Sequence, residues 1–284
     1  MYVKNKKVLS LIVASLLLGT GSYAQGNGKY KVTQNKQNKS KKGKNMNKNI
    51  RNGLIAASAT MLIGGCGSSG NGSNGNTTPV ASVELPAAVA DAIASERSIL
   101  SQELTNTLAY MGNEERLAYD VYNELYRQYG TKQFTNIATK SEYKHIIAVQ
   151  GLIQKYKLSD DVNFTNVDLP ALGYMNTAIE DMEAGTYDIA VIQRLYDDLV
   201  AQGSVSEVEA LKVGCMIEVL DVNDLLEDLV LANNENATDL VTVFGFLLDG
   251  SYNHYWAFDK GLKNKGISDG CCVLGTEYCH PEYP

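Results

Sequence analysis

Proline is scarce in this sequence of 284 residues, with five in all, and that scarcity argues against a proline-rich repeat protein. The body shows no run of β-branched residues with a period of two, and no internal repeat recurs at a fixed spacing. Hydrophobic residues make up 44% of the chain and charged residues 20%. This composition is ordinary for a globular protein, so it excludes a wholly disordered or collagen-like chain.

Acidic residues are absent from the first 66 positions, although these hold 12 of the 25 lysines and arginines. All 32 acidic residues and the other 13 basic ones therefore lie in residues 67–284. A body with this excess of negative charge lacks the positive surface that a nucleic acid needs. We therefore expect no nucleic-acid partner, and we expect the first 66 residues to stand apart from the fold.

Long hydrophobic runs are also missing, because no apolar run at the N-terminus reaches the roughly 18–20 residues of a permanent membrane span. Two shorter runs, Val8–Leu18 and Leu54–Ile63, each follow basic residues as export signals do. Ser22-Tyr23-Ala24 after the first run is a small-residue site for signal peptidase. Gly64-Gly65-Cys66 after the second run resembles the processing site of a bacterial lipoprotein, in which the cysteine is lipidated.

A polar tract of Gly, Ser and Asn, Gly67–Thr78, follows Cys66 and is typical of a flexible surface tether. We therefore expect a lipid on Cys66 that anchors the protein to a membrane in the bacterial cell envelope, outside the cytoplasm. Two alternatives stay open: translation begins at Met46 and yields this lipoprotein, or the first signal is genuine and Cys66 is unmodified. The predicted organisation is a leader over 1–66, a tether over 67–96, a helical bundle over 97–265 and a tail over 266–284.

Four segments of the body carry apolar residues three and four positions apart, the stripe of a helix packed in a bundle. Each stripe is apolar at its ends and polar near its middle. The stripes are Leu104, Leu108, Met111, Glu115, Ala118, Tyr122 and Leu125; Ala138, Glu142, His145, Val149, Leu152 and Tyr156; Leu211, Cys215, Glu218, Val222, Leu225 and Leu229; and Leu240, Phe244, Leu247, Ser251, His254 and Phe258. The sequence therefore predicts an all-α fold with four packed helices.

Five ionisable side chains interrupt these stripes: Glu115, Glu142, His145, Glu218 and His254. An isolated carboxylate in a dry core costs several kcal/mol or neutralises itself through a shifted pKa, so this set needs a shared compensating partner. A divalent metal ion would supply that charge. Glu142 and His145 are three residues apart and share one helical face, so both can reach one ion. Glutamates and Glu-x-x-His motifs on separate helices are the ligand pattern of ferritin-like di-metal bundles.

Several motifs together resemble an uncharacterised ferritin-like family, domain of unknown function 2202, over about residues 100–284. These motifs are Glu114–Tyr122, Ser141–His145, Ala210–Gly214 with Glu218 and Asp221, Gly250–His254 and the closing His280–Pro284. More remotely, Glu115 with Ala118 and Tyr122 is similar to the first helix of rubrerythrins, which are di-iron peroxidases. The resemblance implies an up-down four-helix bundle with a long connection between helices 2 and 3. Ser159–Asp188 fits that connection, and Ile189–Ala201 fits a short helix after it.

Ser251 departs from the family pattern, because a complete di-iron motif has a glutamate three residues before His254. Asp221, one turn beyond Glu218, could supply the missing carboxylate and is a sixth candidate ligand. Carboxylates and imidazoles suit one or two iron ions better than zinc or manganese, with open positions for a small oxidant, peroxide or dioxygen. No catalytic residue is assigned.

The competing interpretation is a non-enzymatic envelope lipoprotein with a structural or degenerate metal site, which Ser251 favours.

Three side chains near Glu115 are not among the predicted metal ligands. Glu114, one residue off the first stripe, is expected to tolerate substitution where Glu115 does not. Tyr119 and Tyr122, within two turns of Glu115, could relay electrons or bond a ligand carboxylate, but we interpret them as packed side chains. The sequence has no Gly-rich phosphate loop, dinucleotide fingerprint or Gly-x-Ser-x-Gly elbow. Nucleotide chemistry and acyl transfer therefore find no support.

The cysteines of the body divide between the third stripe and the tail. Cys215 lies in the stripe and is interpreted as a small buried hydrophobic side chain. Cys271, Cys272 and Cys279 cluster in the tail beside His280, but adjacent cysteines suit a structural zinc site poorly. We predict a disulfide from Cys271 or Cys272 to Cys279, as expected outside the cytoplasm, which leaves one free thiol.

Overall fold

The computed structural model describes residues 84–157, 182–187 and 189–284. The predicted export segments, Cys66 and most of the tether lie outside these residues, and so does most of the connection predicted over Ser159–Asp188. Within the described ranges all regular structure is helical, which confirms the all-α prediction. None of the helices in these ranges combines the length and the hydropathy of a membrane span.

The described α-helices include all four predicted stripes. They are α1 (Ala87–Ala94), α2 (Gln102–Tyr129), α3 (Lys132–Ile137), α4 (Tyr143–Lys157), α5 (Ala190–Gly203), α6 (Glu207–Asn234) and α7 (Thr238–Asn264). A π-helical segment, Ala138–Glu142, joins α3 to α4, and two 3₁₀ turns, Gly270–Leu274 and Thr276–Tyr278, follow α7. The second stripe therefore begins in the π-helical segment and continues along α4.

Serine caps begin the two helices α2 and α6. The Ser101 hydroxyl accepts a hydrogen bond from the N–H of Leu104, and the Ser206 hydroxyl accepts one from Glu209, both at 3.1 Å. Such caps satisfy N–H groups that have no partner within the helix. Gly130 ends α2 in the left-handed conformation, with φ of 68°, which glycine adopts without a steric penalty.

The helices α2, α4, α6 and α7 pack side by side, with α2 and α7 each in contact with both α4 and α6. Helix α5 packs against α2 and α6, and α1 packs against α4 and α7. All seven side chains of the first predicted stripe, Leu104 to Leu125, are buried. The hydrophobic stripes therefore face the interior, as their spacing predicts.

Two hydrophobic clusters form the core, and a polar layer lies between them. In α2 one cluster contains Leu104, Leu108, Ala109 and Met111, and the other contains Leu117, Ala118, Val121, Tyr122 and Leu125. The helices α6 and α7 change from one cluster to the other in the same way, near Leu220 in α6 and near Leu248 in α7. Each of these helices therefore carries its ionisable stripe residue at the junction of the two clusters.

Two disulfides fix the tail. Cys272 pairs with Cys279, which is one of the two predicted pairings, and Cys271 pairs with Cys215 of α6. The interpretation of Cys215 as an unbonded hydrophobic side chain was wrong, and neither tail partner is left as a free thiol. The reason is tertiary: Cys215 and Cys271 are 56 residues apart in sequence, yet the fold brings their Cα atoms to 5.7 Å. Asp259 of α7 also accepts a hydrogen bond from the Cys271 N–H at 3.0 Å.

Candidate metal centre

Five of the six predicted ligands meet in the polar layer between the two hydrophobic clusters. Helix α2 supplies Glu115, the π-helical segment supplies Glu142, and α4, α6 and α7 supply His145, Glu218 and His254. All five side chains are buried, and the most exposed of them, His254, has 5% of its surface accessible. Because the residues come from separate helical segments, their convergence depends on how these segments pack together.

One group of ligand atoms surrounds the imidazole of His145. His145 Nδ1 lies 3.0 Å from Glu115 Oε2 and 2.9 Å from Glu142 Oε2. The three residues can each offer an atom to one ion, since these atoms lie within 4.8 Å of one another. The Glu142-x-x-His145 motif thus acts together with Glu115 of the neighbouring helix.

A second group surrounds the imidazole of His254. His254 Nδ1 lies 3.1 Å from Glu142 Oε1 and 3.4 Å from Glu218 Oε2. Glu142 belongs to both groups, and its two oxygens face different histidines. The centroids of the two imidazole rings are 5.6 Å apart. The two groups of possible ligand atoms therefore share one residue, Glu142.

The donor set fits metal ions. Glu115 Oε1 and His145 Nε2 are buried, and neither has a hydrogen-bond partner among the described residues. Buried polar atoms without partners are costly, so such a concentration of them needs an explanation. Two ligand atoms bound to one ion at right angles are about 3 Å apart when each metal–ligand bond is about 2.1 Å long. The observed separations of 2.9–3.4 Å match that spacing.

The imidazoles and carboxylates of the centre shift one another's pKa values. Burial lowers the pKa of His145, but the charge and hydrogen bond of Glu115 and the hydrogen bond of Glu142 raise it to about 10. Burial raises the pKa of Glu115 to about 7, although His145 opposes this shift. Burial likewise raises the pKa of Glu142, yet the charges of His254 and His145 hold it well below its ordinary value. Protonated imidazoles therefore occupy the electrostatic role that a cation would take.

Local backbone features position the His145 imidazole. Glu142 ends the π-helical segment Ala138–Glu142, and His145 lies in the first turn of α4. Short π-helical segments within helices occur often at functional sites. Gly250 of α7 leaves room for the ring, because a Cβ atom at this position would lie 2.4 Å from His145 Nε2.

Asp221, the sixth predicted ligand, is adjacent to the centre but outside both three-residue groups. Its Oδ2 atom accepts a hydrogen bond of 2.8 Å from the hydroxyl of Ser251, the residue that replaces the expected glutamate. Burial raises the pKa of Asp221 well above its ordinary value, and the charges of Glu115, Glu218 and Glu142 raise it further. The structure therefore joins the two unusual positions, Asp221 and Ser251, as a hydrogen-bonded pair at the edge of the centre.

Two residues near the centre differ from their favoured interpretations, and for Tyr122 the structure shows the alternative, a bond to a candidate ligand carboxylate. Tyr122 is packed, as expected, against Phe134 and Phe258, but its hydroxyl also donates a hydrogen bond to Glu218 Oε1. Glu114 was expected to lie off the packed face, yet it is only 5% exposed. Near Glu114, helix α2 is buried on more than one side. The single apolar stripe of α2 in the sequence could not predict burial on a second side.

The comparisons with known proteins identify relatives without an assigned activity. The model of a family described as an uncharacterized protein domain (DUF2202) matches residues 105–276. An uncharacterized protein, MJ0754 of Methanocaldococcus jannaschii, is 36% identical over 167 residues, which cover 59% of this chain and 79% of that protein. The crystal structure of the hypothetical protein MJ0754 is similar to this fold with a TM-score of 0.51 and 35% identity, over 61% of this chain and 86% of that one.

Proposed function

The chain belongs to the DUF2202 family, and for this member we propose a non-haem iron protein with a ferritin-like four-helix bundle. The bundle consists of α2, α4, α6 and α7, and the contacts of α2 and α7 with both α4 and α6 support this architecture. The long connection between α4 and α6, which contains α5, agrees with the same topology. The remote similarity to rubrerythrins rests on Glu115, Ala118 and Tyr122 of α2.

The observation that carries the proposal is the position of Glu142 between two buried histidines. Its two oxygens lie 2.9 Å from His145 Nδ1 and 3.1 Å from His254 Nδ1. Glu115 completes one three-residue group, and Glu218 completes the other. Mixed carboxylate and imidazole ligands suit iron, and the shared carboxylate favours two ions over one.

Iron bound there would supply one-electron redox chemistry toward a small oxidant, such as peroxide or dioxygen. The chain's own residues hold and shield this centre. Tyr122 donates its O–H to Glu218 Oε1, which fixes that carboxylate and leaves Oε2 directed toward His254. The hydrophobic clusters on both sides keep bulk water from the carboxylates, so that each charge there acts in a medium of low dielectric constant.

A second candidate function is a non-enzymatic envelope protein in which the metal site is structural or degenerate. The Ser251–Asp221 hydrogen bond favours it, because a serine hydroxyl stands where the di-iron pattern has a ligand carboxylate. The two functions predict different metal contents. About two irons per chain would support the redox function, whereas zinc alone would support the structural one.

We propose that the protein works outside the cytoplasm, attached to a bacterial membrane by a lipid on Cys66. The disulfides Cys215–Cys271 and Cys272–Cys279 support an oxidising compartment. The lysine-rich, acid-free segment before Cys66 supports an export signal. A surface location would bring the iron centre into contact with oxidants that arise outside the cell.

The iron content of variants of the full chain tests the centre. We expect Glu115→Gln and Glu218→Gln to lower the iron content, because each removes one ligand charge while keeping the volume of the side chain. Glu103→Gln is the matched control, since Glu103 is exposed on the same helix as Glu115. The measurement is the iron-to-protein ratio of proteins purified identically under anaerobic conditions. Equal iron content in the unaltered protein and all three variants would rule out the proposed centre.

A further inference from the structure

The two ring nitrogens of His145 have different surroundings. Nδ1 lies 3.0 Å from Glu115 Oε2 and 2.9 Å from Glu142 Oε2. Nε2, on the other side of the ring, is buried and has no hydrogen-bond partner among the described residues. A buried polar atom without a partner is costly and rare in folded proteins. The contacts around Nε2 therefore need a physical account.

Nε2 of His145 carries a proton whenever Nδ1 serves as a metal ligand. A neutral imidazole that offers Nδ1 to an ion keeps its proton on Nε2, and the doubly protonated ring has a proton there as well. Metal-binding histidines usually donate this second N–H to a carboxylate, a backbone carbonyl or a water molecule, which fixes the orientation of the ring. Within the described part of the chain, no carboxylate or carbonyl accepts it from His145.

An aromatic ring and a glycine of α7 lie against this imidazole. The ring of Phe246 stands at 84° to the ring of His145, with the two centroids 5.2 Å apart. Gly250 leaves open the space beside Nε2, where a Cβ atom would lie 2.4 Å from that nitrogen. Phe246 and Gly250 are four residues apart and share one face of α7. The Nε2 side of the imidazole therefore packs on a helix face that bears an aromatic ring.

We propose that Phe246 is a positioning residue for His145, because the face of its ring accepts the Nε2–H group in an N–H···π contact. The face of an aromatic ring is negative, and a perpendicular pair brings the edge of one ring to the face of the other. With Nε2–H directed at Phe246, Nδ1 stays directed at Glu115 and Glu142, as ion binding by this group requires. The role rests on the proposed metal centre, but the contact belongs to the metal-free chain as well.

Nuclear magnetic resonance of the metal-free full chain tests the contact. The chain has three histidines, so labelling with ¹⁵N-histidine gives signals from three imidazoles alone. The ring current of Phe246 should shield the Nε2 proton of His145, and Phe246→Leu should move this signal downfield. Phe246→Tyr keeps the aromatic face and should leave the signal shielded. His280 of the tail, which stacks on Tyr283, is the internal reference and should not change.

Zn²⁺ binding to chelator-treated protein measures the consequence for the centre. Phe246→Leu keeps much of the apolar volume but loses the aromatic face, and it should weaken Zn²⁺ binding about tenfold, as the loss of an outer partner of a ligand does. Phe246→Tyr should bind Zn²⁺ as the unaltered chain does. Tyr252→Leu is the matched control, because Tyr252 is a partly exposed aromatic residue of α7 whose ring lies against Tyr283.

The leucine and tyrosine variants together separate an aromatic contact from packing. If Phe246→Leu leaves the His145 signal unchanged, or if Phe246→Leu and Phe246→Tyr weaken Zn²⁺ binding equally, Phe246 acts by packing alone and the proposed role is wrong. An unaltered chain that binds neither Zn²⁺ nor iron would contradict the metal centre itself. The position of the His145 signal decides on the Phe246 contact in either case.

Discussion

Gly250 shows how a residue without a side chain shapes the centre. A Cβ atom at Gly250 would lie 2.4 Å from His145 Nε2 and 2.5 Å from Cε1, closer than real Cβ contacts come. Helix α7 could not recede without moving His254, which lies one turn further along the same helix. The His145 ring therefore occupies space that only glycine leaves open at this position.

The first residue-scale prediction compares two glycines of α7. Gly250→Ala should displace the His145 imidazole and lower the iron content, because the new methyl group collides with the ring. Gly245→Ala is the control: its Cβ would have no neighbour within 4 Å. It should leave the iron content unchanged and raise the free energy of unfolding by up to about 1 kcal/mol through helix propensity. Iron analysis and urea denaturation measure the two effects, and a Gly250→Ala protein that retains its full iron content would contradict the role given to this glycine.

At this scale the sequence predicted those residues whose signal is local. Glu142 and His145 were found because three-residue spacing places them on one helical face whatever the rest of the fold does. Glu115, Glu218 and His254 were found because a charge in an apolar stripe is conspicuous. Glu114 was misjudged, because its burial depends on a second neighbouring surface that the stripe of α2 does not encode.

Among the elements, the long helices were predictable and the irregular ones were not. The stripes of α2, α6 and α7 have a period that only a helix satisfies, and serines at positions 101 and 206 mark two of the starts. The helix predicted over Ile189–Ala201 corresponds to α5, Ala190–Gly203. The π-helical segment Ala138–Glu142 had no signal, because widening of the helix by one residue depends on what the segment packs against.

A disulfide and several hydrogen bonds attach the tail to the helices α6 and α7. Cys271 is joined to Cys215 of α6, and the hydroxyl of Tyr255 in α7 donates a 2.9 Å hydrogen bond to the carbonyl of Tyr278. Trp256 Nε1 donates a 3.2 Å hydrogen bond to the carbonyl of Pro284. Tyr255 follows the candidate ligand His254, and Cys215 lies one turn before Glu218. The tail is therefore tied to the two helices that supply the second group of ligands.

The element-scale prediction concerns the unequal contributions of the two disulfides to the free energy of unfolding. Loop-closure entropy assigns about 4 kcal/mol to the Cys215–Cys271 bridge, with its sequence separation of 56, and about 2 kcal/mol to Cys272–Cys279, with its separation of 7. Replacing the first pair by alanines should therefore lower the free energy of unfolding more than replacing the second pair. Urea denaturation of both double variants measures the difference. Equal losses, or free alkylation of Cys215 in unreduced protein, would contradict the pairing or its energetic role.

For the whole molecule, the distribution of charge separates the N-terminal region from the folded body. The first 66 residues carry basic side chains and no acidic ones, whereas the remaining residues hold all 32 acidic side chains. Several of those acids, Glu115, Glu142 and Glu218 among them, are buried at the candidate metal centre. A basic segment before a hydrophobic run is the charge pattern of an export signal. The asymmetry of charge therefore agrees with the proposed export signal in the first 66 residues.

The whole-molecule prediction concerns attachment to a membrane. If Cys66 is lipidated, Cys66→Ala should move the protein out of the membrane fraction or leave it unprocessed, because one acylated residue supplies the apolar contact with the bilayer. The control is Cys272→Ala combined with Cys279→Ala, which removes two other cysteines and should leave fractionation unchanged. Detergent fractionation and mass spectrometry of the mature N-terminus measure both outcomes. A mature N-terminus at Gln25, with the same fractionation for Cys66→Ala as for the unaltered protein, would show that the first export signal acts and that Cys66 is not the anchor.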